Sequence, residues 1–226
     1  MHSFLEKVQK SLRAAANPDD AEPMARYMKN LQPFLGIKMP MVKSICREAL
    51  RAHPVETVAD LEQVIESLWA GPYREERYAA IRIAQFSPLG LQPGMLSRYE
   101  WMIASGQWWD LVDPIATFLV GELAARSEAS KKKVFQYIAS DNMWLRRTAL
   151  IFQLKYKGGT DWDRLQEMIL GCAEEKAFFI RKAIGWALRE YSKTDAEAVS
   201  AFVAENRERL SPLSQREALK WLRNRG

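Results

Sequence analysis

Arg147-Thr148-Ala149 and Arg181-Lys182-Ala183 are two copies of a triplet, Arg-x-Ala, that recurs along this chain of 226 residues. The copies in register begin at Arg13, Arg47, Arg77, Arg147, Arg181 and Arg216, and one more, at Arg82, is out of register. Copies in register lie 30 to 35 residues apart, except for one step of 70, twice the period. A period near 35 with room for two helices per unit is typical of an α-helical repeat array. The triplets therefore predict an all-α solenoid of about six helix pairs.

Hydrophobic residues recur at helical spacing in almost every segment, and no run indicates a strand. Breaks that carry Pro, Gly, Asn or Asp separate the segments. The predicted helices cover residues 3–16, 21–31, 41–52, 57–70, 73–86, 94–105, 115–126, 130–139, 142–156, 161–175, 178–191, 195–207 and 213–224. We expect a single domain over residues 1–226, with one face of the solenoid rich in Lys and Arg.

Composition and charge restrict the class of protein. The chain has 33 Lys and Arg against 28 Asp and Glu, and this net charge of +5 favours an anionic partner, either nucleic acid or a membrane surface. Cys46 and Cys172 make no disulfide framework, and His2 and His53 make no metal-ligand pattern. No stretch indicates a signal peptide or a membrane span. We expect a cytoplasmic protein without a metal site.

The unit that lacks the triplet would carry it at residue 112. That unit holds Gln107-Trp108-Trp109-Asp110-Leu111-Val112-Asp113-Pro114 instead. On a helix, Trp109 and Asp113 are four residues apart and share a face. An indole ring and a carboxylate both attract a developing positive charge. Departures from a consistent pattern are where functional residues are expected, so the stretch predicts a site for a cationic group.

Two structural alternatives compete with this interpretation. Adjacent tryptophans at helical spacing are more often core than site, which would bury Trp108 and Trp109. Asp113 before Pro114 also has the pattern of an N-cap followed by proline at the first helical position. In that case Asp113 would be a helix cap and the helix would not continue across it.

Sequence motifs for nucleotide hydrolysis, dinucleotide binding, zinc proteolysis and serine hydrolysis are absent from the chain. Three further aromatic positions lie beside basic residues or glycine: Trp144 precedes Arg146 and Arg147, Trp186 follows Gly185, and Tyr27 lies between Arg26 and Lys29. Core packing explains each tryptophan taken alone, and a structural role in the repeat explains Arg147. Gly185 could allow close approach of a ligand or of another helix.

Several segments together resemble the AlkD-type DNA alkylation repair glycosylases. They are residues 25–30, 33–37, 107–113, 140–147, 152–157, 178–186 and 213–218, in the family's order and at similar spacing over nearly the whole chain. The resemblance implies HEAT-like repeats that form a concave, basic DNA-binding face. It also implies base excision repair by removal of positively charged N3- and N7-alkylated purines, such as 3-methyladenine and 7-methylguanine, from double-stranded DNA.

The resemblance also assigns residues. Trp109, Asp113 and Trp186 match the family's catalytic positions, Arg147 matches an arginine beside the DNA backbone, and Tyr27 matches a DNA-proximal tyrosine. We add Lys155, Arg146 and Lys182 as further DNA-binding candidates. Pro114 departs from the family's pattern and is expected to shift Asp113 by a fraction of a turn. The resemblance implies capture of the lesion from the backbone side, hence an open cleft rather than a closed pocket.

The implied chemistry requires only one carboxylate. Most glycosidases use one carboxyl group to protonate the leaving group and a second to handle water or the sugar cation. A purine alkylated at N3 or N7 already carries a positive charge and leaves without protonation. Asp113 would stabilise the sugar cation and activate water, with no cofactor, in a monomeric enzyme. The alternatives are a non-catalytic helical-repeat scaffold and a relative that binds DNA structures without hydrolysis.

Overall fold

The computed structural model describes residues 2–224, and this part of the chain contains helices and no strands. The predicted all-α fold class is therefore confirmed. The chain packs as two compact units, residues 1–98 and 99–226. Among residues 2–224, no helix has both the length and the apolar character needed to cross a bilayer. The single domain and the basic concave face stay predictions.

The first unit is built from helices, several of which pack against one another. They are α1 (His2–Ala14), α2 (Pro18–Tyr27), α3 (Met39–Ala52), α4 (Val58–Trp69) and α5 (Arg74–Phe86), followed by a 3₁₀ turn at Pro88–Leu91. Helix α3 packs against α1 and α5, and α5 also packs against α4. Phe4, Val8 and Leu12 of α1 are buried along one stripe, as their helical spacing predicts.

Helix α2 begins three residues before its predicted start at residue 21. Asn17 lies in extended backbone, and its side-chain oxygen accepts a hydrogen bond from the N–H of Asp19 at 3.1 Å. Pro18 occupies the first helical position, where its missing N–H has no helical partner to lose. The break between the first two helices therefore supplies the cap and the first turn of α2.

The loop before α3 is held by a buried carboxylate. Glu75, at the start of α5, accepts hydrogen bonds from the backbone N–H groups of Leu35, Gly36 and Ile37 at 2.9 to 3.0 Å. Gly36 has a φ of +84°, and a Cβ there would lie 2.0 Å from the carbonyl oxygen of Asn17. Only glycine fits this position, because both the backbone conformation and the space exclude a side chain.

The second unit continues the series of helices. Helix α6 (Met95–Gly106) contains the boundary between the units, and it is followed by α7 (Trp109–Pro114), a π-helical segment at Ile115–Val120, α8 (Gly121–Arg126), α9 (Glu128–Gln136), a 3₁₀ turn at Tyr137–Ala139, α10 (Met143–Ile151), a 3₁₀ turn at Lys157–Gly159, α11 (Trp162–Gly171), α12 (Phe178–Tyr191), α13 (Ala196–Glu205), α14 (Pro212–Ala218) and α15 (Lys220–Arg223). Helix α12 packs between α10 and α14, and α10 also contacts α7.

Small residues let these helices approach closely. The alanines of three triplets, Ala149 on α10, Ala183 on α12 and Ala218 on α14, are fully buried. A Cβ on Gly185 would lie 2.4 Å from Cβ of Glu217 and 2.9 Å from the carbonyl oxygen of Ser214. Gly185 therefore provides room for helix α14. Of the two possibilities that the sequence left open, close approach of a ligand or of another helix, the structure shows the second.

Helix α10 ends at Ile151, five residues before its predicted end at residue 156. The backbone turns after Ile151, and Lys157 has a φ of +52° before the pair of glycines. Phe152 and Tyr156 have helical spacing, but their rings meet edge to face across the turn, 5.8 Å apart. The helical spacing of these two aromatic residues therefore reflects the packing of their rings across a turn, and the helix does not continue through them.

Candidate active site

Asp113 lies inside a helix rather than at its start. Helix α7, the π-helical segment and α8 form one uninterrupted helical run from Trp109 to Arg126. The residue in the N-cap position is Trp108, which has extended backbone, and Asp113 is the fifth residue of the run. The interpretation of Asp113 as an N-cap is therefore wrong, and so is the predicted helix start at residue 115.

Pro114 is accommodated by widening the helix. Proline has no N–H to donate and its ring excludes the carbonyl four residues earlier, which normally breaks a helix. Here the next turn becomes π-helical, and the N–H of Gly121 donates to the carbonyl of Ala116, five residues back. The Thr117 hydroxyl donates to the carbonyl of Asp113 at 2.8 Å. Single π turns inside α-helices often occur at functional sites.

The turn after α10 packs closely against the end of the π-helical segment. The Tyr156 hydroxyl donates to the carbonyl of Gly121 at 2.5 Å. A Cβ on Gly121 would lie 2.5 Å from the carbonyl oxygen of Phe152, so a side chain has no room there. These contacts hold the widened turn that follows Asp113 in one position.

The Asp113 carboxylate forms a two-pronged ion pair with Arg147 of α10. The Nε of Arg147 lies 2.7 Å from Oδ1, and its Nη2 lies 2.8 Å from Oδ2. The remaining terminal nitrogen of Arg147 donates to the carbonyl of Phe179 on α12 at 2.5 Å. Arg147 thus links three helices, and this forked geometry is one that lysine cannot reproduce.

Burial and charge act in opposite directions on Asp113. Its side chain is 13% exposed and that of Arg147 is 5% exposed. Burial raises the pKa of the Asp113 carboxyl above its ordinary value, and the negative charge of Asp110 adds to the rise. The hydrogen bonds and the positive charge of Arg147 oppose it. The net direction is upward, which makes this carboxylate a stronger base than a free aspartate.

An aromatic cluster forms a wall beside the ion pair. Trp108, Trp144 and Phe179 contact one another, with ring centroids 4.9 to 6.3 Å apart. Trp144 is buried, so core packing explains it, whereas Trp108 and Trp109 are only half-buried. Phe178 extends the cluster, 5.4 Å from Phe179, and leaves 54% of its surface exposed.

The other two predicted catalytic residues lie on α7, which carries Asp113, and on α12, whose Phe179 carbonyl accepts a hydrogen bond from Arg147. Trp109 lies one turn before Asp113 on α7. Trp186 lies seven residues after Phe179 on α12, so the two share a face. Both tryptophans are half-buried.

The predicted DNA-binding residues have different surroundings. Arg146 forms a two-pronged pair with Glu175 at 2.8 and 2.9 Å, and Lys182 pairs with Glu217 at 3.0 Å. The ammonium group of Lys155 lies 3.4 Å from the centre of the Phe118 ring. Tyr27 is in the first unit and is 70% exposed. In the part of the chain that the structure describes, no three His, Cys, Asp or Glu side chains form a possible metal site.

Phe179 is the residue that sequence reasoning missed. Its carbonyl fixes Arg147 and its ring joins the aromatic cluster. Every residue has a backbone carbonyl, so nothing in the sequence could indicate that the carbonyl of Phe179 accepts a hydrogen bond from Arg147. A signal did exist for the ion pair, because Arg147 follows Asp113 by 34 residues, which is one repeat period.

Comparisons with known proteins agree with this architecture. The sequence model of the DNA alkylation repair enzyme family matches residues 8–222. A solved structure titled a predicted DNA alkylation repair enzyme, from Enterococcus faecalis, has 33% sequence identity and a TM-score of 0.83. The alignment covers 92% of this chain and 96% of that one. No curated protein gives a significant match.

The all-helical fold and the family match over residues 8–222 define a helical DNA repair protein. The chain belongs to the DNA alkylation repair enzyme family, of the AlkD-like type. The resemblance found in the sequence is confirmed.

Proposed function

We propose that this protein is a monofunctional DNA glycosylase that hydrolyses the N-glycosidic bond of N3- and N7-alkylpurines in double-stranded DNA. The observation that carries the proposal is the Asp113 carboxylate, held on both oxygens by the buried guanidinium of Arg147. It belongs to a chain of a DNA alkylation repair family. The substrates in this proposal are 3-methyladenine and 7-methylguanine.

A single carboxylate is enough for this reaction. The alkylated purine is cationic and departs as a neutral base, which leaves positive charge on the deoxyribose. Asp113 stabilises that charge as the bond breaks and accepts a proton from the water that attacks the sugar carbon. The balanced products are the free alkylpurine, an abasic site in the DNA and one proton.

Arg147 prepares Asp113 for this role in our proposal. A carboxylate has about four lone-pair positions, and Arg147 occupies one on each oxygen. The remaining positions are available to accept a hydrogen bond from water. The guanidinium also opposes the rise in the Asp113 pKa, which favours the ionised form. Arg147 then orients the general base, Asp113, in addition to any contact that it makes with a DNA phosphate.

Trp109 and Trp186 complete the proposed site. Both are half-buried aromatic residues on the helices that carry Asp113 and Phe179. In our proposal their ring faces lie beside the deoxyribose, where the π quadrupole stabilises its cationic character. The family resemblance supports both assignments.

DNA binding in this proposal relies on the positive charge of the chain. Arg146 and Lys182 each have a carboxylate partner, so DNA would compete with Glu175 and Glu217 for them. Lys155 and Tyr27 are both exposed and remain the better candidates for direct contact.

The test is release of free base from alkylated duplex DNA. The purified protein is incubated with DNA methylated at N7 of guanine and N3 of adenine, and released bases are separated and quantified. Release that depends on Asp113 supports the proposal. Binding of alkylated or branched DNA without any base release would support a non-catalytic DNA binder instead.

A further inference from the structure

A cavity of about 290 Å³ lies in the second unit among the turn after α10, α11 and the last turns of α12. Leu150, Leu165 and Ala187 contribute apolar lining. Gln153, Lys157, Tyr191 and Lys193 contribute polar and charged groups. A cavity of this size holds a small organic molecule rather than a single water.

The cavity is separate from the candidate active site. Arg147 contacts Phe179, the second residue of α12, whereas the cavity begins at Ala187 on the same helix. Eight residues of helix correspond to about 12 Å along the axis. The proposed reaction has no use for the cavity residues.

Gln153 lines this cavity and has a buried donor without a hydrogen-bond partner. The residue is 3% exposed, and its Oε1 accepts a hydrogen bond from the N–H of Asp161 at 2.8 Å. That bond fixes which end of the amide is the acceptor. The other end, Nε2, is buried and has no hydrogen-bond partner. Buried amide donors are normally paired, so this one indicates an acceptor that binds in the cavity.

The charge of the lining indicates an anion. Lys193 pairs with Glu190 at 2.6 Å, so those two charges offset each other. Lys157 also lines the cavity, and among residues 2–224 no carboxylate pairs with it. One uncompensated positive charge matches a ligand with one negative charge better than a phosphate monoester, which carries close to two.

We propose that this cavity binds a small organic monocarboxylate. One carboxylate oxygen accepts hydrogen bonds from Gln153 Nε2 and from the ammonium group of Lys157, and the apolar body of the ligand packs on Leu150 and Leu165. This site is independent of the glycosylase proposal and would stand if that proposal failed.

The test uses hexanoate as the probe and nuclear magnetic resonance of the full-length, ¹⁵N-labelled protein as the readout. Tyr191 lines the cavity and its ring stacks on Trp162, with centroids 4.5 Å apart. Hexanoate should therefore shift the Gln153 side-chain amide and the Trp162 indole N–H saturably. Hexan-1-ol should produce no saturable shift, and inorganic phosphate should bind more weakly than hexanoate.

Three variants locate the binding. Lys157→Asn removes the charge and tolerates the positive φ, and it should weaken hexanoate binding by about tenfold. Gln153→Glu keeps the acceptor for Asp161 but replaces the donor with a negative charge, and it should abolish binding. The control, Lys176→Asn, removes an exposed lysine outside the cavity and should leave affinity unchanged. If Gln153→Glu does not fold, the comparison of Lys157→Asn with Lys176→Asn decides alone.

Three results would overturn the proposal. An absence of saturable shifts would show that Gln153 Nε2 bonds only water. Equal weakening by Lys157→Asn and Lys176→Asn would show attraction to the general surface charge. Shifts at the indoles of Trp109 and Trp186 instead of Trp162 would place the anion in the candidate active site.

Discussion

Arg147 donates hydrogen bonds to both carboxylate oxygens of Asp113, at 2.7 and 2.8 Å, and the two residues are one repeat period apart in sequence. The pair is the point where the repeat arginine of one helix pair meets the unit that lacks its own arginine. In the proposed function, the carboxylate at this position is the group that acts on the sugar cation.

Asp113→Asn should lower the single-turnover excision of 7-methylguanine by roughly 10²–10³-fold or more, the order expected for loss of one electrostatic stabiliser. Asparagine keeps the size of the side chain and removes its negative charge. DNA affinity should persist or increase, because a negative charge near phosphate is lost. Thermal melting checks the fold of the variant.

The matched control for Asp113→Asn is Glu122→Gln, which removes an exposed carboxylate on the same helical run. Its excision rate should equal that of the wild type. A well-folded Asp113→Asn protein with normal excision would return Asp113 to a purely structural role.

Arg147→Gln should destabilise the fold by about 3 to 5 kcal/mol, the usual loss when one member of a buried ion pair is removed. The Asp113 carboxylate then remains buried without its partner. The double variant, Arg147→Gln with Asp113→Asn, should lose less stability than the single one, because no uncompensated charge is left. Denaturant unfolding of the four proteins of this cycle measures the coupling. Strictly additive effects would contradict an energetically important pair.

Excision should fall on acidification at a higher pH than an ordinary aspartate predicts. In the proposed reaction Asp113 acts in its ionised form, and burial raises the pKa of this group above its ordinary value of about 3.9. The acid limb of the single-turnover rate should therefore lie above that value, after subtraction of spontaneous depurination. DNA binding measured over the same range separates chemistry from affinity. A rate that stays constant down to about pH 4 would count against Asp113 as the base.

The same shift has a definite sign for stability. A raised pKa means that the native state binds the Asp113 proton more tightly than the unfolded chain does. The contribution of this group to the free energy of unfolding is therefore largest below about pH 3.9 and declines as pH rises through the native pKa. Asp113→Asn removes that contribution, so the stability difference between variant and wild type should change with pH in this window.

Local patterning was sufficient for the helices and for the shared face of Trp109 and Asp113. The Arg-x-Ala period predicted a helical array, and the alanines of three copies are buried on α10, α12 and α14, of which α12 contacts the other two. These features depend on neighbours close in sequence or on simple repetition. The predicted end of α10 was wrong because Phe152 and Tyr156 have helical spacing but pack across a turn.

Neither the helix through Asp113 nor the partner of its carboxylate could be predicted from the local sequence pattern. Proline after Asp113 suggested a helix start, because proline inside a helix has a high energetic cost. The chain instead widens into a π turn, which Tyr156 supports by a hydrogen bond to Gly121. That solution depends on residues more than 30 positions away, and so does the choice of Arg147 as partner.

DNA binding should be largely independent of sequence and strongly dependent on salt. A protein that makes six to ten phosphate contacts loses about 10³–10⁵-fold in affinity between 50 and 200 mM salt. Lys155→Gln should weaken binding to all sequences alike and reduce the slope of log affinity against log salt by about 1. Lys132→Gln, at an exposed lysine on α9, is the matched control for loss of charge. Equal slopes for wild type and Lys155→Gln would remove Lys155 from the phosphate contacts.

Gly185→Ala should destabilise the protein by about 1 to 3 kcal/mol, the range for overpacking a close contact. The added Cβ would lie 2.4 Å from Cβ of Glu217 and 2.9 Å from a backbone oxygen of α14, so α12 and α14 must separate. Gly171→Ala is the control, because a Cβ at that helix end meets nothing within 4 Å. That substitution should stabilise slightly, by roughly 0.5 to 1 kcal/mol, since alanine has the lower conformational entropy when unfolded. Denaturant unfolding compares the stability of the two variants.

Because Trp186 follows Gly185 directly, excision by Gly185→Ala should fall as α12 moves, whereas Gly171→Ala should retain the wild-type rate. Equal stability of the two variants would show that α12 and α14 are packed less closely than the Gly185 contacts require.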